Sequence, residues 1–133
     1  MHEWDIRAGL EPDAQLSAAS IPSILLTIGE SIASGSLRWA FWSGPALPAP
    51  VRYRFIVTGA NLTRSDVLVD GNTLRMDEPQ ESTANVTVHC DAATYVLLVY
   101  GRLNLEAALD SGRLVVVGDP ALVLDFGQWF RGI

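Results

Sequence analysis

Residues 51–90 alternate between apolar and polar positions. Val51, Tyr53, Phe55 and Val57 fall on one face and Arg52 and Arg54 on the other, the period of a half-buried strand. Gly59-Ala60-Asn61 turns the chain, and Arg64 to Val69 alternates again. Asp70-Gly71-Asn72 then supplies the positive-φ residues of a tight hairpin ahead of Thr73-Leu74-Arg75-Met76. Beyond a polar link from Asp77 to Ser82, Ala84, Val86, Val88 and Cys90 share one face while Asn85, Thr87 and His89 share the other. The pattern predicts four neighbouring strands, all antiparallel.

On both sides of this block the period is helical. Trp4, Ile6 and Leu10 give residues 2–10 a helix without a capping residue, broken by Glu11-Pro12-Asp13. Ser20 caps a second helix over about 21–34, whose stripe is Ile21, Ile24, Leu25, Ile28 and Ile32. Trp39, Phe41 and Trp42 mark an aromatic-rich piece of open geometry, and Ser43 to Pro50 is a proline-rich loop. Asp91 caps a helix from Ala92 to Tyr100 that is apolar nearly all round, hence buried on most sides, and Gly101 ends it. Asn104 caps a short helix to Leu109, and Leu114 to Val117 reads as a strand joining the sheet. Asp119 as N-cap and Pro120 at the first position open a last helix with Leu122, Phe126, Trp129 and Phe130 on one stripe. The order predicts an α+β fold of two layers: a mostly antiparallel sheet of about five strands covered by helices.

At 133 residues the chain has room for one hydrophobic core. Its 49% apolar content sets disorder aside. A net charge of −6, with acids spread along the chain, argues against nucleic acid as a partner. All nine basic residues are arginine, a bias of coding composition or a selection for planar, bidentate contacts. One cysteine, Cys90, cannot close an internal disulfide, which fits a reducing compartment, and no signal sequence opens the chain. A cytoplasmic protein without a membrane span is expected, since the longest apolar runs are far too short to cross a bilayer. In that setting the triplets Asn61-Leu62-Thr63 and Asn85-Val86-Thr87 are chance glycosylation matches.

Reactive constellations are scarce. His2 and Asp5 lie three apart and on a helix could face one ion, but two ligands leave most of a zinc sphere unfilled, and His2 reads equally as a terminal, exposed residue. Cys90 shares a face with Val86 and Val88, so a buried, inert thiol is expected. No nucleophile elbow, phosphate cradle or singled-out carboxylate pair is present, and the residues do not describe an enzyme. What stands out is aromatic surplus. Trp39, Phe41, Trp42, Tyr95, Tyr100, Phe126, Trp129 and Phe130 either line a pocket for an apolar ligand between sheet and helices or fill a core; periodicity cannot separate the two.

From Asp91 onward, Tyr100-Gly101-Arg102-Leu103, Leu105-Glu106-Ala107-Ala108-Leu109, Gly112-Arg113-Leu114-Val115-Val116-Val117-Gly118-Asp119 and Ala121-Leu122 resemble the closing part of sterol carrier protein 2-like domains. More closely, the whole chain resembles the C-terminal region of actinobacterial maleylpyruvate isomerase family proteins, which use mycothiol and join a metal-binding helical bundle to such a domain. His2-Glu3-Trp4-Asp5 is similar to the family's His-x-Trp-Asp at the end of the last bundle helix. There the histidine binds a divalent metal, zinc, with a glutamate four residues earlier and a histidine far upstream. The resemblance implies that residues 1–12 are the remnant of that helix and 13–133 the sterol carrier-like domain. It implies one retained metal ligand, His2, and no cofactor held by this chain alone. It also implies a cleft-facing arginine, for which Arg102 is the positional match; as a residue at a helix end, Arg102 reads equally as a partner for carbonyl groups or a surface carboxylate. The expected role is a non-catalytic accessory domain that packs on a metal-binding helical partner, or self-associates through Trp4, Ile6 and Leu10, and helps enclose a small organic substrate. The alternative is a carrier of lipid or another apolar ligand.

Overall fold

The computed structural model describes residues 2–10, 14–34, 47–59, 63–71, 73–77, 83–130 and 132. Five strands pair in one sheet: β1 (Val51–Thr58), β2 (Thr63–Asp70), β3 (Thr73–Asp77), β4 (Val86–Asp91) and β5 (Val115–Gly118). Their order across the sheet is β3-β2-β1-β4-β5. The hairpin read from Asp70-Gly71 joins β2 to β3, with Gly71 at φ 61.

One expectation fails here. β4 does not extend an antiparallel meander; it crosses to the free edge of β1 and runs parallel to it, Tyr53 opposite Val86 and Val57 opposite Cys90. Alternation reports which face a residue shows, not which strand lies beside it, so nothing in the period could have signalled this. Asn85 secures the crossing: its N–H donates to the Arg52 carbonyl at 2.9 Å, and its side-chain oxygen accepts from the Arg52 N–H at 2.7 Å. The side chain thus supplies a rung of the ladder before β4 begins. At the far end Gly118 takes φ +114, and a Cβ there would stand 2.7 Å from the Asn85 carbonyl oxygen, so only glycine fits.

The inner face carries Tyr53, Phe55, Val57, Val67, Val69, Val86, Val88 and Cys90, all buried. Helix α3 (Ala92–Val99) and helix α5 (Ala121–Trp129) cover it, with α2 (Ile21–Ala33) packed on α3 through the buried Ile28 and the half-buried Ile24 and Leu25. α1 (His2–Leu10) and α4 (Leu105–Asp110) complete the described helices. Asp91 caps α3 as expected, accepting from the Thr94 N–H at 2.7 Å, and Asn104 caps α4, accepting from the Ala107 N–H at 3.0 Å. α5 begins one residue later than the sequence suggests. Pro120 holds the N-cap position without a side-chain bond, while the Asp119 carboxylate accepts from the Ala121 N–H at 2.9 Å. The proline's own φ of −65° already suits the helix.

The outer face is not simply solvated. Register places Asp66 opposite Arg54, and Arg54 donates to both its carboxylate oxygens at 2.8 Å while Arg52 adds a third bond at 3.1 Å. The two guanidiniums bury Asp66 completely (0% exposed). Burial pushes its carboxyl up, but the bonds from Arg54 and Arg52 outweigh that and hold it below its ordinary value of 3.8.

Removing the acid while leaving two packed guanidiniums is costly, so Asp66→Ala is expected to lose about 3–5 kcal/mol in urea unfolding. Because the folded pKa lies below the unfolded one, the carboxylate's contribution is whole above about pH 4 and fades as pH falls through the folded value. Unfolding curves taken between neutral pH and pH 3 check this; a wild-type protein whose stability is flat down to pH 3 would contradict the assignment.

Candidate functional site

Among the described residues, one open concavity is formed mainly by helices and the turns beside them. A groove of about 830 Å³ runs between α1 and the pair α3 and α4. Trp4 and Ala8 come from α1, Ala14 to Leu16 from the segment that follows, Ala93 and Leu97 from α3, and Ala107 and Ala108 from α4. Leu103, Arg102 and Arg113 close the wall, with Asp91, Asn104 and Ser111 adding polar edges.

The local sequence explains how Arg102 reaches it. At the end of α3, Gly101 adopts φ 63, its N–H donates to the Leu98 carbonyl at 3.0 Å, and the Arg102 N–H donates to Leu97 at 2.8 Å. This is a Schellman turn, which needs a residue without Cβ strain where Gly101 stands and turns the next side chain out of the helix. Arg102 then donates from Nη1 to the Tyr100 carbonyl at 2.8 Å and from Nε to Asp5 Oδ1 at 2.9 Å. Both expected roles of a helix-end arginine are therefore filled, and the carboxylate partner belongs to α1. The pair is exposed, so it fastens α1 by no more than about 1 kcal/mol. Trp4 Nε1 donates to the Ala14 carbonyl at 3.0 Å and anchors the same helix locally.

Arg113, not singled out from the sequence, donates from Nη2 to the buried Thr94 hydroxyl at 3.3 Å. The wall position of Arg113 depends on the Gly112 turn at φ 73, which brings the residue after α4 back beside the first turn of α3. Only the tertiary turn reveals this; the Gly-Arg-Leu motif by itself gives no direction.

The expected pocket residues divide. Tyr95 and Phe126 are buried in the core, where Phe55 stands 6.1 Å from the Tyr95 ring and 5.4 Å from Phe126. Tyr53 packs on Phe126 at 5.0 Å, and Phe126 stacks on Phe130 at 5.7 Å. The gap among Tyr53, Phe55, Val88, Leu98, Leu114, Val123 and Phe126 has no room for a water molecule, so these residues fill a core. Tyr100 is half-buried at its margin. Trp39, Phe41 and Trp42 lie outside the described residues, as do the side chains of Trp129 and His2. Among the described residues no group of three or more His, Cys, Asp or Glu side chains converges on a metal position.

Two tyrosines of the interior differ. Burial raises both hydroxyls, but Tyr95 has a hydrogen bond with Ser65, whereas the Tyr53 hydroxyl has no partner among the described residues. Burial, with the Asp125 charge adding to it, pushes Tyr53 up to about 12. Cys90 is likewise pushed up to about 12, by burial first and by Asp91 second.

A sheet of this order roofed by helices on one face is the sterol carrier-like α+β architecture. The model of the SCP-2 sterol transfer family matches residues 48–131, and the chain belongs to that family. Among solved structures, the chain is similar to the ubiquinone synthesis protein UbiJ-SCP2, at 24% identity and a TM-score of 0.56 over 77% of this chain and 90% of that one. It is also similar to sterol carrier protein 2 like 2 from Aedes aegypti, at 21% identity and a TM-score of 0.55 over 80% and 95%. A part of the sec-alkylsulfatase Pisa1 from Pseudomonas sp. has the fold too, at 15% identity and a TM-score of 0.54 over 63% of this chain and 13% of that one. At these identities the likeness is one of fold. No curated protein sequence matches. No helix among the described residues is long and apolar enough to cross a membrane.

With its thiol buried and held protonated, Cys90 is expected to resist iodoacetamide and Ellman's reagent at pH 8 in the folded protein and to react fully once unfolded. Rapid labelling without denaturant would refute this placement.

Proposed function

We propose that this chain is a non-catalytic ligand-binding domain that takes a small apolar or amphipathic molecule into the groove between α1 and α3–α4. The observation that carries the reading is that groove: its 830 Å³ lies within the range of small-molecule sites, and its wall combines Trp4, Leu16, Leu97 and Leu103 with two guanidiniums. Membership of the SCP-2 sterol transfer family supports an apolar ligand. Arg102 and Arg113 orient the polar end of such a molecule, because each guanidinium is held by a neighbour and keeps further N–H groups for a guest.

Displacement of a fluorescent fatty acid, alongside native mass spectrometry, tests the reading. Ala107 is exposed on the wall, so Ala107→Trp fills the groove without touching the core. It is expected to weaken capture about tenfold or more, equivalent to ~1.4 kcal/mol, with stability changed by less than about 0.5 kcal/mol. A protein that displaces nothing is not a carrier.

The exposure of Ile6 (68%) and Leu10 (80%) on α1 favours a second reading, in which α1 belongs to a larger helical surface and the domain helps enclose a substrate against a metal-binding helical partner. The resemblance of His2-Glu3-Trp4-Asp5 to the maleylpyruvate isomerases' His-x-Trp-Asp, with Arg102 in the groove beside Asp5, supports it. Mycothiol and the divalent metal then come with the partner, His2 giving one ligand. Light scattering after size exclusion is expected to show self-association, or a complex with a supplied helical domain, lost in Ile6→Ser/Leu10→Ser; a strict monomer indifferent to that domain would count against it.

A further inference from the structure

The first turn of α3 carries two opposite charges that do not meet. Asp91, the N-cap, accepts at Oδ1 from the Thr94 N–H at 2.7 Å, and Arg113 donates from Nη2 to the Thr94 hydroxyl at 3.3 Å. Thr94 is buried (1% exposed), whereas Asp91 and Arg113 are both exposed and both line the groove. Among the described residues neither of the two forms an ion pair, with the other or with a third residue. One buried residue thus holds a carboxylate and a guanidinium apart on the same wall, one at its N–H and one at its hydroxyl. At the far end of α3, a helix of eight residues and about 12 Å, Arg102 is already matched by Asp5. Between the two ends Ala93 and Leu97, one helical turn apart, line the groove with Trp4, Leu16 and Leu103.

We propose, resting on the reading of the groove as a ligand site, that its guest is a zwitterion: an α-amino acid with an apolar side chain, its ammonium on Asp91 and its carboxylate on Arg113. A simple carboxylate gains Arg113 but brings its charge beside Asp91, and an alkylammonium gains Asp91 but faces Arg113. A neutral guest pairs with neither charge. The zwitterion replaces the water around both by charge-assisted hydrogen bonds. Because both anchors sit on Thr94, the ligand's charges must lie on adjoining carbons, as they do in an α-amino acid. Its side chain then runs along Ala93 and Leu97 toward Trp4. The fold keeps its own bonds meanwhile: one carboxylate oxygen of Asp91 stays on the cap while the other meets the ammonium, and the guanidinium fork of Arg113 has N–H groups beyond the one on Thr94.

NMR-monitored titration of the full chain at neutral pH with 2-aminodecanoate, decanoate and decylamine tests the proposal, in the wild type, Asp91→Asn and Arg113→Gln. Asparagine caps a helix about as well as aspartate, so Asp91→Asn keeps α3 in place. In the wild type the zwitterion is expected to shift the amide resonances of Thr94 and Leu97 and to bind about tenfold or more tighter than either singly charged probe, the worth of one hydrogen bond to a charged group. Asp91→Asn should erase its advantage over decanoate, and Arg113→Gln its advantage over decylamine. Shifts at Thr94 and Leu97 with decanoate or decylamine bound as tightly as 2-aminodecanoate, or an advantage that survives both substitutions, would overturn the zwitterion and leave the groove reading standing. No response at these residues to any of the three probes would remove the groove reading as well.

Discussion

The burial of one face of β1 is the constraint from which the other features of the molecule follow. β1 is the central strand, laddered on one side to β2 and on the other to β4, and its inward side chains Tyr53, Phe55 and Val57 are among the most deeply buried. An apolar face of this kind has to be covered, and α3 meets the need because Ala92 and Thr94 to Val99 are buried along its length. A helix buried on nearly all sides can end only where the chain finds a turn that satisfies its carbonyls. Tyr100-Gly101-Arg102 provides that turn, and the placement of Arg102 in the groove is its by-product.

The outer face obeys a different rule. Polar side chains there are expected to face water, yet Arg52, Arg54 and Asp66 form a bonded cluster in which the acid sees no solvent. Each partner compensates the desolvation of the others, so the arrangement tolerates rearrangement poorly and ties the β1–β2 register to charge as well as to apolar fit. The interior makes the opposite use of a polar group. The Tyr53 hydroxyl has no partner among the described residues, while that of Tyr95, also buried, has a hydrogen bond with Ser65. The two faces of β1 thus bury polar groups in opposite states, one fully bonded and one without a partner among the described residues.

The groove sits where no single element could have announced it. Its walls come from α1, from the turn after it, from both ends of α3 and from α4, and its two arginines are 11 residues apart in sequence, 102 and 113. The exposed pair between Asp5 and Arg102 links residues 97 apart in sequence and joins α1 to the end of α3.

By itself, the sequence determined the strand segments, the caps Asp91 and Asn104, the glycines that end helices, the α+β class and the burial of Cys90, because period, cap chemistry and positive φ are local properties. The hairpin at Asp70-Gly71 and the buried character of Ala92 to Val99 were legible for the same reason. Tertiary structure decided the parallel pairing of β4 with β1, the burial of Asp66, the filling of the space around Tyr95 and Phe126, and the meeting of Arg102 and Arg113 on one groove. Each depends on which elements become neighbours in space. Alternation along a strand is the same whether its neighbour runs parallel or antiparallel, and an apolar stripe is the same whether it lines a cavity or closes one.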